Sequence, residues 1–141
     1  MAEPLTEKLL EELLSGPDLG SYVEAHTKAP VTLAGYLCQL LEEKGLDQAR
    51  VVRMADLNAT YGYQIFTGGR EHPSRDKILQ IAFAMALTLR ETNRALSLAD
   101  AGELYCKNRR DAIIIYCIDR GCSLQKVNEE LFRFGEDAID G

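Results

Sequence analysis

The chain is predicted to be all-α, on three observations. Apolar residues recur at helical spacing along nearly all of its 141 residues, and no run alternates as a half-buried strand would. Helix-capping residues stand directly before most of the apolar-periodic stretches, and glycines or short polar turns follow them. Hydrophobic residues make up 46% of the chain, enough for a real core in one ordinary domain.

The elements follow in order. A first helix from Leu5 to about Ser15 places Leu9, Leu10, Leu13 and Leu14 on one side, and Gly16-Pro17 ends it. Asp18 caps a short second helix with Leu19, Tyr22 and Val23, and Lys28-Ala29-Pro30 is a connection. Thr32 caps a helix that turns Leu33, Leu37, Leu40 and Leu41 inward and stops at Gly45. Asp47 caps the next, through Val51, Val52 and Met54 to about Ala55, its carboxylate suited to free helix N–H groups. Asn58 caps a helix ending near Phe66. Ser74 caps one carrying Ile78, Ile81, Ala82 and Met85, and Thr88 and Glu91 form a capping box for another through about Leu98. Asn108 or Arg109 starts a helix with Ile113, Ile114 and Cys117 buried, and Gly121 stops it. Ser123 caps the last, with Leu124, Val127, Leu131 and Phe132 as its apolar set.

Composition excludes several classes. No apolar run approaches the ~18 residues of a membrane span, and the N-terminus lacks the pattern of a signal peptide. Cys38, Cys106, Cys117 and Cys122 include no C-x-x-C pair, and His26 and His72 are the only histidines, so no zinc site or other cofactor is expected. Cys38 and Cys117 read as buried free thiols, which implies a cytoplasmic setting. No nucleophile–base set is legible, so an enzyme is not expected. His72 reads as a solvated loop residue, and Asp76 as a carboxylate complementing a helix start.

The net charge of −6 is unevenly spread: −4 over residues 1–30, zero over 31–100 and −2 over 101–141. The central segment can therefore carry one basic face. Within it, residues 46–66 fit a helix-turn-helix. Gln48 to Ala55 meets Ala59 to Phe66 across a turn that needs a residue near the left-handed region, and Asp56, which tolerates it, stands there. Val52, Leu57 and Ile65 are spaced to pack the two helices. Ala59, Thr60, Tyr63, Gln64 and Thr67 fall on the outward face.

The stretch Thr32 to Leu98 resembles the Xre/Cro-like, lambda repressor-like helix-turn-helix family. The residues that carry the resemblance are Gly45-Leu46-Asp47-Gln48, then Asp56-Leu57-Asn58 at ungapped spacing, then Gly68 and Pro73. The resemblance implies a five-helix DNA-binding unit over 31–100, with an acidic N-terminal helical extension at 1–30. A C-terminal helical extension at 101–141 is expected to pack on the same domain. It implies a bacterial or phage-type transcriptional regulator that inserts the helix at about 58–67 into the major groove of double-stranded DNA. Asn58, Ala59, Thr60, Tyr63, Gln64 and Thr67 would then line the groove, with Gln48, Arg70, Arg75 and Lys77 on phosphates. The terminal helices offer a homodimer surface, "NRRDAIIIYCIDRG" above all. A module that keeps the fold but binds a protein partner instead is the alternative.

Three residues depart from the family pattern. Val52 stands where a small residue is usual, which predicts slightly wider helix spacing. Asp56 replaces the turn glycine. Gly62 replaces a buried aliphatic, which predicts a gap for Tyr61 to cover.

Overall fold

The computed structural model describes residues 6–16, 18–27 and 31–140. The expected helix start at Leu5, the stop at Pro17 and the connection at Lys28-Ala29-Pro30 lie outside the described residues. The chain divides into two compact units, Met1–Pro30 and Val31–Gly141. Among the described residues the secondary structure is entirely helical, and no helix is long and apolar enough to cross a membrane.

The first unit holds α1 (Thr6–Ser15) and α2 (Leu19–His26). Asp18 caps α2 through the Gly20 N–H, as its position predicted. Neither helix buries a residue, so Leu10, Leu13, Leu14, Leu19 and Val23 stay exposed.

The second unit holds α3 (Leu33–Lys44), α4 (Gln48–Met54), α5 (Ala59–Thr67), α6 (Arg75–Ala84), α7 (Leu89–Leu98), α8 (Arg109–Asp119) and α9 (Leu124–Arg133). Thr32, Asp47, Asn58, Ser74, Thr88, Asn108 and Ser123 each accept a backbone N–H of the first turn, and Thr88 with Glu91 completes the capping box. Helix ends are equally uniform. At α3, α4, α6, α7, α8 and α9 one residue takes a positive φ, and the following N–H reaches back to a carbonyl five residues earlier, as in Leu57 N–H to Val52 O at 3.2 Å. The positive-φ residue is glycine at Gly45, Gly121 and Gly135 but Asp56 (φ 59°), Ala86 (φ 53°) and Asp100 (φ 58°) elsewhere. The residue after it then points inward, which buries Leu57 and Leu87.

Helix α6 is the centre of the unit, touching α4, α7 and α9. Ile78 to Phe83 are all buried, so it has no solvent face along that stretch. Gln80, buried there, gives its amide N–H to the Ala55 carbonyl at 3.0 Å and so closes the end of α4. Helix α3 packs on α5 and α7 through Leu33, Leu37, Leu40 and Leu41, the inward set expected.

The C-terminal helices are joined to this centre by crossed ion pairs. Arg75-Asp76 opens α6 and Arg110-Asp111 lies in the first turn of α8. Arg75 forks onto both Asp111 oxygens at 2.7 Å, and Arg110 forks onto both Asp76 oxygens at 3.1 and 3.0 Å. Arg75 also donates to the carbonyls of Gly102 and Glu103, and Arg110 to those of Asp137 and Ala138. The tail is fastened by Ile139, which is buried and whose N–H bonds the Asn128 side chain at 2.7 Å. Burial by itself would raise the Asp111 pKa, but Arg75, the Tyr105 N–H and the charge of Arg110 outweigh it and hold the carboxyl below its ordinary range.

Three apolar expectations are corrected. Cys38 is exposed, its thiol donating to the Phe66 carbonyl at 3.3 Å, and only Cys117 of that pair is buried. Phe132 is 86% exposed, because α9 turns Val127 and Leu131, with half-buried Leu124, toward the core. Ile113 is half-buried, at the edge of α8.

Three variants check this architecture. Ala86 holds a conformation that costs a non-glycine residue roughly 1–2 kcal/mol, so Ala86→Gly should raise unfolding stability by about 1 kcal/mol in urea. Arg75→Ala leaves a buried carboxylate without its partner and should cost about 3 kcal/mol at neutral pH. The Asp111 contribution has a definite sign. Its folded pKa is lowered, so the stability is fully present above the unfolded value near 3.9 and drains away as pH falls through the lower folded value. Asp111→Asn should therefore flatten the acid limb of a stability–pH profile.

Candidate nucleic-acid interface

Two short helices and the loop after them form the region of interest. Helices α4 and α5 are joined by Asp56, Leu57 and Asn58 after the capping residue Ala55. Asp56 takes the left-handed conformation foreseen for it, Leu57 is buried in the elbow, and the Asn58 carboxamide oxygen accepts from the N–H groups of Thr60 at 3.0 Å and Tyr61 at 3.1 Å.

Helix α4 meets α5 at Val52 against Gly62. A Cβ placed on Gly62 would lie 2.5 Å from one Val52 methyl and 2.7 Å from the other. This corrects one expectation: Gly62 does not leave a gap, because Val52 fills the space beside it. The larger residue on one helix occupies the space that the smaller residue on its neighbour vacates, with both buried. Tyr61 is consequently not needed as a cover.

Outward on α5, Ala59, Thr60, Tyr63 and Thr67 are exposed and Gln64 is half-exposed. Tyr63 has 61% of its surface in solvent. The Thr67 hydroxyl donates to the Tyr63 carbonyl at 2.9 Å and keeps its acceptor lone pairs outward. Gln48 is half-buried as the first residue of α4, and Arg50 and Arg53 are exposed on the same helix.

After α5 the chain turns at Gly68 (φ 92°), and Arg70 returns its N–H to the Gln64 carbonyl at 3.2 Å. The Arg70 guanidinium then lies 4.4 Å from the centre of the Tyr61 ring, and the Lys77 ammonium lies 5.1 Å from the same centre. One aromatic ring thus gathers two cations from the loop and the start of α6. Arg70 Nε also donates to Gln64 Oε1 at 2.9 Å.

Arg75 behaves differently from Arg70 and Lys77. Its three guanidinium nitrogens make four hydrogen bonds within the protein, to Asp111, Gly102 and Glu103. Arg75, expected on a phosphate, thus directs four of its five N–H donors into the protein, at the α6–α8 junction. Asp76, read as a dipole-complementing carboxylate, additionally holds Arg110. His72 is exposed, and its Nδ1 lies 3.0 Å from the Ala99 carbonyl.

Sequence reasoning missed the clustering at Tyr61. Tyr61, Arg70 and Lys77 are separated by a loop whose path no local pattern dictates, so no spacing signal existed to find. Acidic residues border the region too: Asp47, Asp56 and Glu71 are exposed. Comparison with models of protein families, with curated proteins and with solved structures gives no match.

The Val52–Gly62 contact can be tested directly. Gly62→Ala gains roughly 1 kcal/mol of helix propensity, yet should lower stability by about 1–3 kcal/mol through overpacking. Adding Val52→Ala should recover most of that loss, as a favourable coupling in a double-mutant cycle followed by urea unfolding.

Proposed function

We propose that residues 31–141 form a sequence-specific DNA-binding transcriptional regulator with a lambda repressor-like fold, in which α3 to α7 are the five-helix unit. In this reading α4 and α5 are a helix-turn-helix and α5 enters the major groove. The observation that carries it is the composition of one surface. A polar, exposed row on α5 stands beside two cations gathered on Tyr61, over a helix pair packed to the limit at Val52 and Gly62. A rigid helix with short polar side chains suits base edges, and cations beside it suit phosphates. Gln48 at the first turn of α4 is placed for a further phosphate, where helix N–H groups favour anions. The mechanism is binding without chemistry, in the cytoplasm of a bacterial or phage-infected cell.

A homodimer belongs to the same proposal, since paired half-sites multiply affinity and specificity. The C-terminal helices support it with exposed Tyr116, Phe132 and Phe134. An open groove of about 360 Å³ lies between α8 and α9, with Ile113 and Phe134 among its walls. The same apolar surface favours the second reading, a protein-interaction module, together with the engagement of Arg75 and the acidic border at Asp47, Asp56 and Glu71.

Selection from random duplex DNA at moderate salt separates the two. The regulator reading expects an enriched motif, and expects Lys77→Ala to weaken all sequences alike while lowering the salt slope by about 1. A wild-type protein that enriches no motif sinks it in favour of the interaction module.

A further inference from the structure

We propose that Cys117 and Cys122 form an oxidation site, a thiol pair that a hydroperoxide converts to an intramolecular disulfide across the end of α8. The proposal does not rest on the DNA-binding reading, since it needs only the turn between α8 and α9. Helix α8 ends in the same closure as its neighbours. Gly121 takes a φ of 68°, its N–H bonds the Ile118 carbonyl at 3.1 Å, and the Cys122 N–H bonds the Cys117 carbonyl at 3.0 Å. Side chains at the two ends of that last bond meet in this motif. At α3, α4, α6 and α7 the two positions hold apolar pairs: Leu41 with Leu46, Val52 with Leu57, Ala82 with Leu87 and Leu96 with Ala101. At α8 they hold two thiols.

The backbone bond sets the spacing. An N–H···O contact of 3.0 Å keeps the Cα atoms of its two residues within about 7 Å, close enough for a disulfide to span. The thiols also interact. Burial, then the charge and hydrogen bonding of Cys122, push the Cys117 thiol up to about 11. Cys117 is therefore buried and protonated at neutral pH, so it is not the first to react. Cys122 is half-buried and is the sulfur that a small oxidant reaches.

The chemistry balances with one hydrogen peroxide. The Cys122 sulfur attacks a peroxide oxygen, the O–O bond breaks, and the leaving hydroxide takes the thiol proton as water. Cys122 is then a sulfenic acid. The Cys117 sulfur attacks the Cys122 sulfur, the S–O bond breaks, and the leaving hydroxyl takes the Cys117 proton as a second water. Both sulfurs are oxidised, and the peroxide oxygens are reduced.

The test uses the full chain with Cys38→Ser and Cys106→Ser, which removes the two exposed thiols and leaves the pair. Native protein is treated with hydrogen peroxide at neutral pH, and the remaining thiols are capped with iodoacetamide. Trypsin then cuts after Arg120, between the two cysteines. The expected product is peptide 111–120 joined to peptide 121–126, from monomeric protein lighter by two hydrogens. The same joined peptides are expected from the wild type, so the result does not depend on the variant folding. The oxidised protein should unfold at a higher urea midpoint, because a cross-link that fits the native geometry restricts the unfolded chain. With Cys122→Ser added, Cys117 should remain a free thiol through the same treatment. The proposal is overturned if Cys122 advances to sulfinic acid while Cys117 stays free, or if the joined peptides arise only in urea or only from disulfide-linked dimers. A lower urea midpoint for the oxidised form also overturns it, since the bond then distorts the helix end. So does oxidation of Cys117 in the Cys122→Ser protein, which would give the first attack to the other sulfur.

Discussion

The left-handed residue at the end of each helix is the constraint on which the second unit depends. Six helices stop in the same way, with one positive φ and a backbone bond closed over it. That geometry returns the chain sharply, and where the next residue is large and apolar it is pressed into the core. Between α3 and α4, α4 and α5, α6 and α7, and α8 and α9, the following helix is capped immediately afterwards. Little freedom remains in how consecutive helices meet. The orientation of α5 on α4 is thus set by backbone geometry at Asp56, buried apolar contact at Leu57 and capping at Asn58, and only then refined by Val52 against Gly62.

The longer connections need a different device. Between α7 and α8 the chain crosses ten residues, Ala99 to Asn108, without a helix. The crossed pairs of Arg75 with Asp111 and Arg110 with Asp76 tie the starts of α6 and α8 together across that gap. Buried ion pairs are a poor source of net stability but a strong penalty on any arrangement that separates them, so here they act chiefly on specificity of docking. They also redistribute charge. Arg75 is held by Asp111 and two carbonyls, and the cations beside α5 are Arg70 and Lys77 on their shared ring. A net charge of −6 says little about that surface, because much of the acidity is elsewhere or already paired.

The local features were legible because each is encoded within a few residues. Thr32, Asp47, Asn58, Ser74, Thr88, Asn108 and Ser123 compete for backbone N–H groups within one turn, so their roles needed no tertiary knowledge. The outward face of α5 followed from helical spacing in the same way. The misreadings share a cause as well. Cys38 and Phe132 lie beside apolar neighbours, but the angle at which a helix meets its core decides which edge of an apolar stripe is covered. Val52 and Gly62 were weighed one at a time, although neither has meaning without the other.

By itself the sequence determined that this chain is helical, where its helices begin and stop, and which side of α5 looks outward. All three are consequences of periodicity, capping and backbone preference over short range. Only the tertiary structure decided that Val52 and Gly62 complement each other, that Arg75 is spent on Asp111, and that Arg70 grips Gln64 over Tyr61. Those are contacts between residues 6 to 36 positions apart. Their formation depends on where a loop returns and how two helices cross, and no local pattern carries that information.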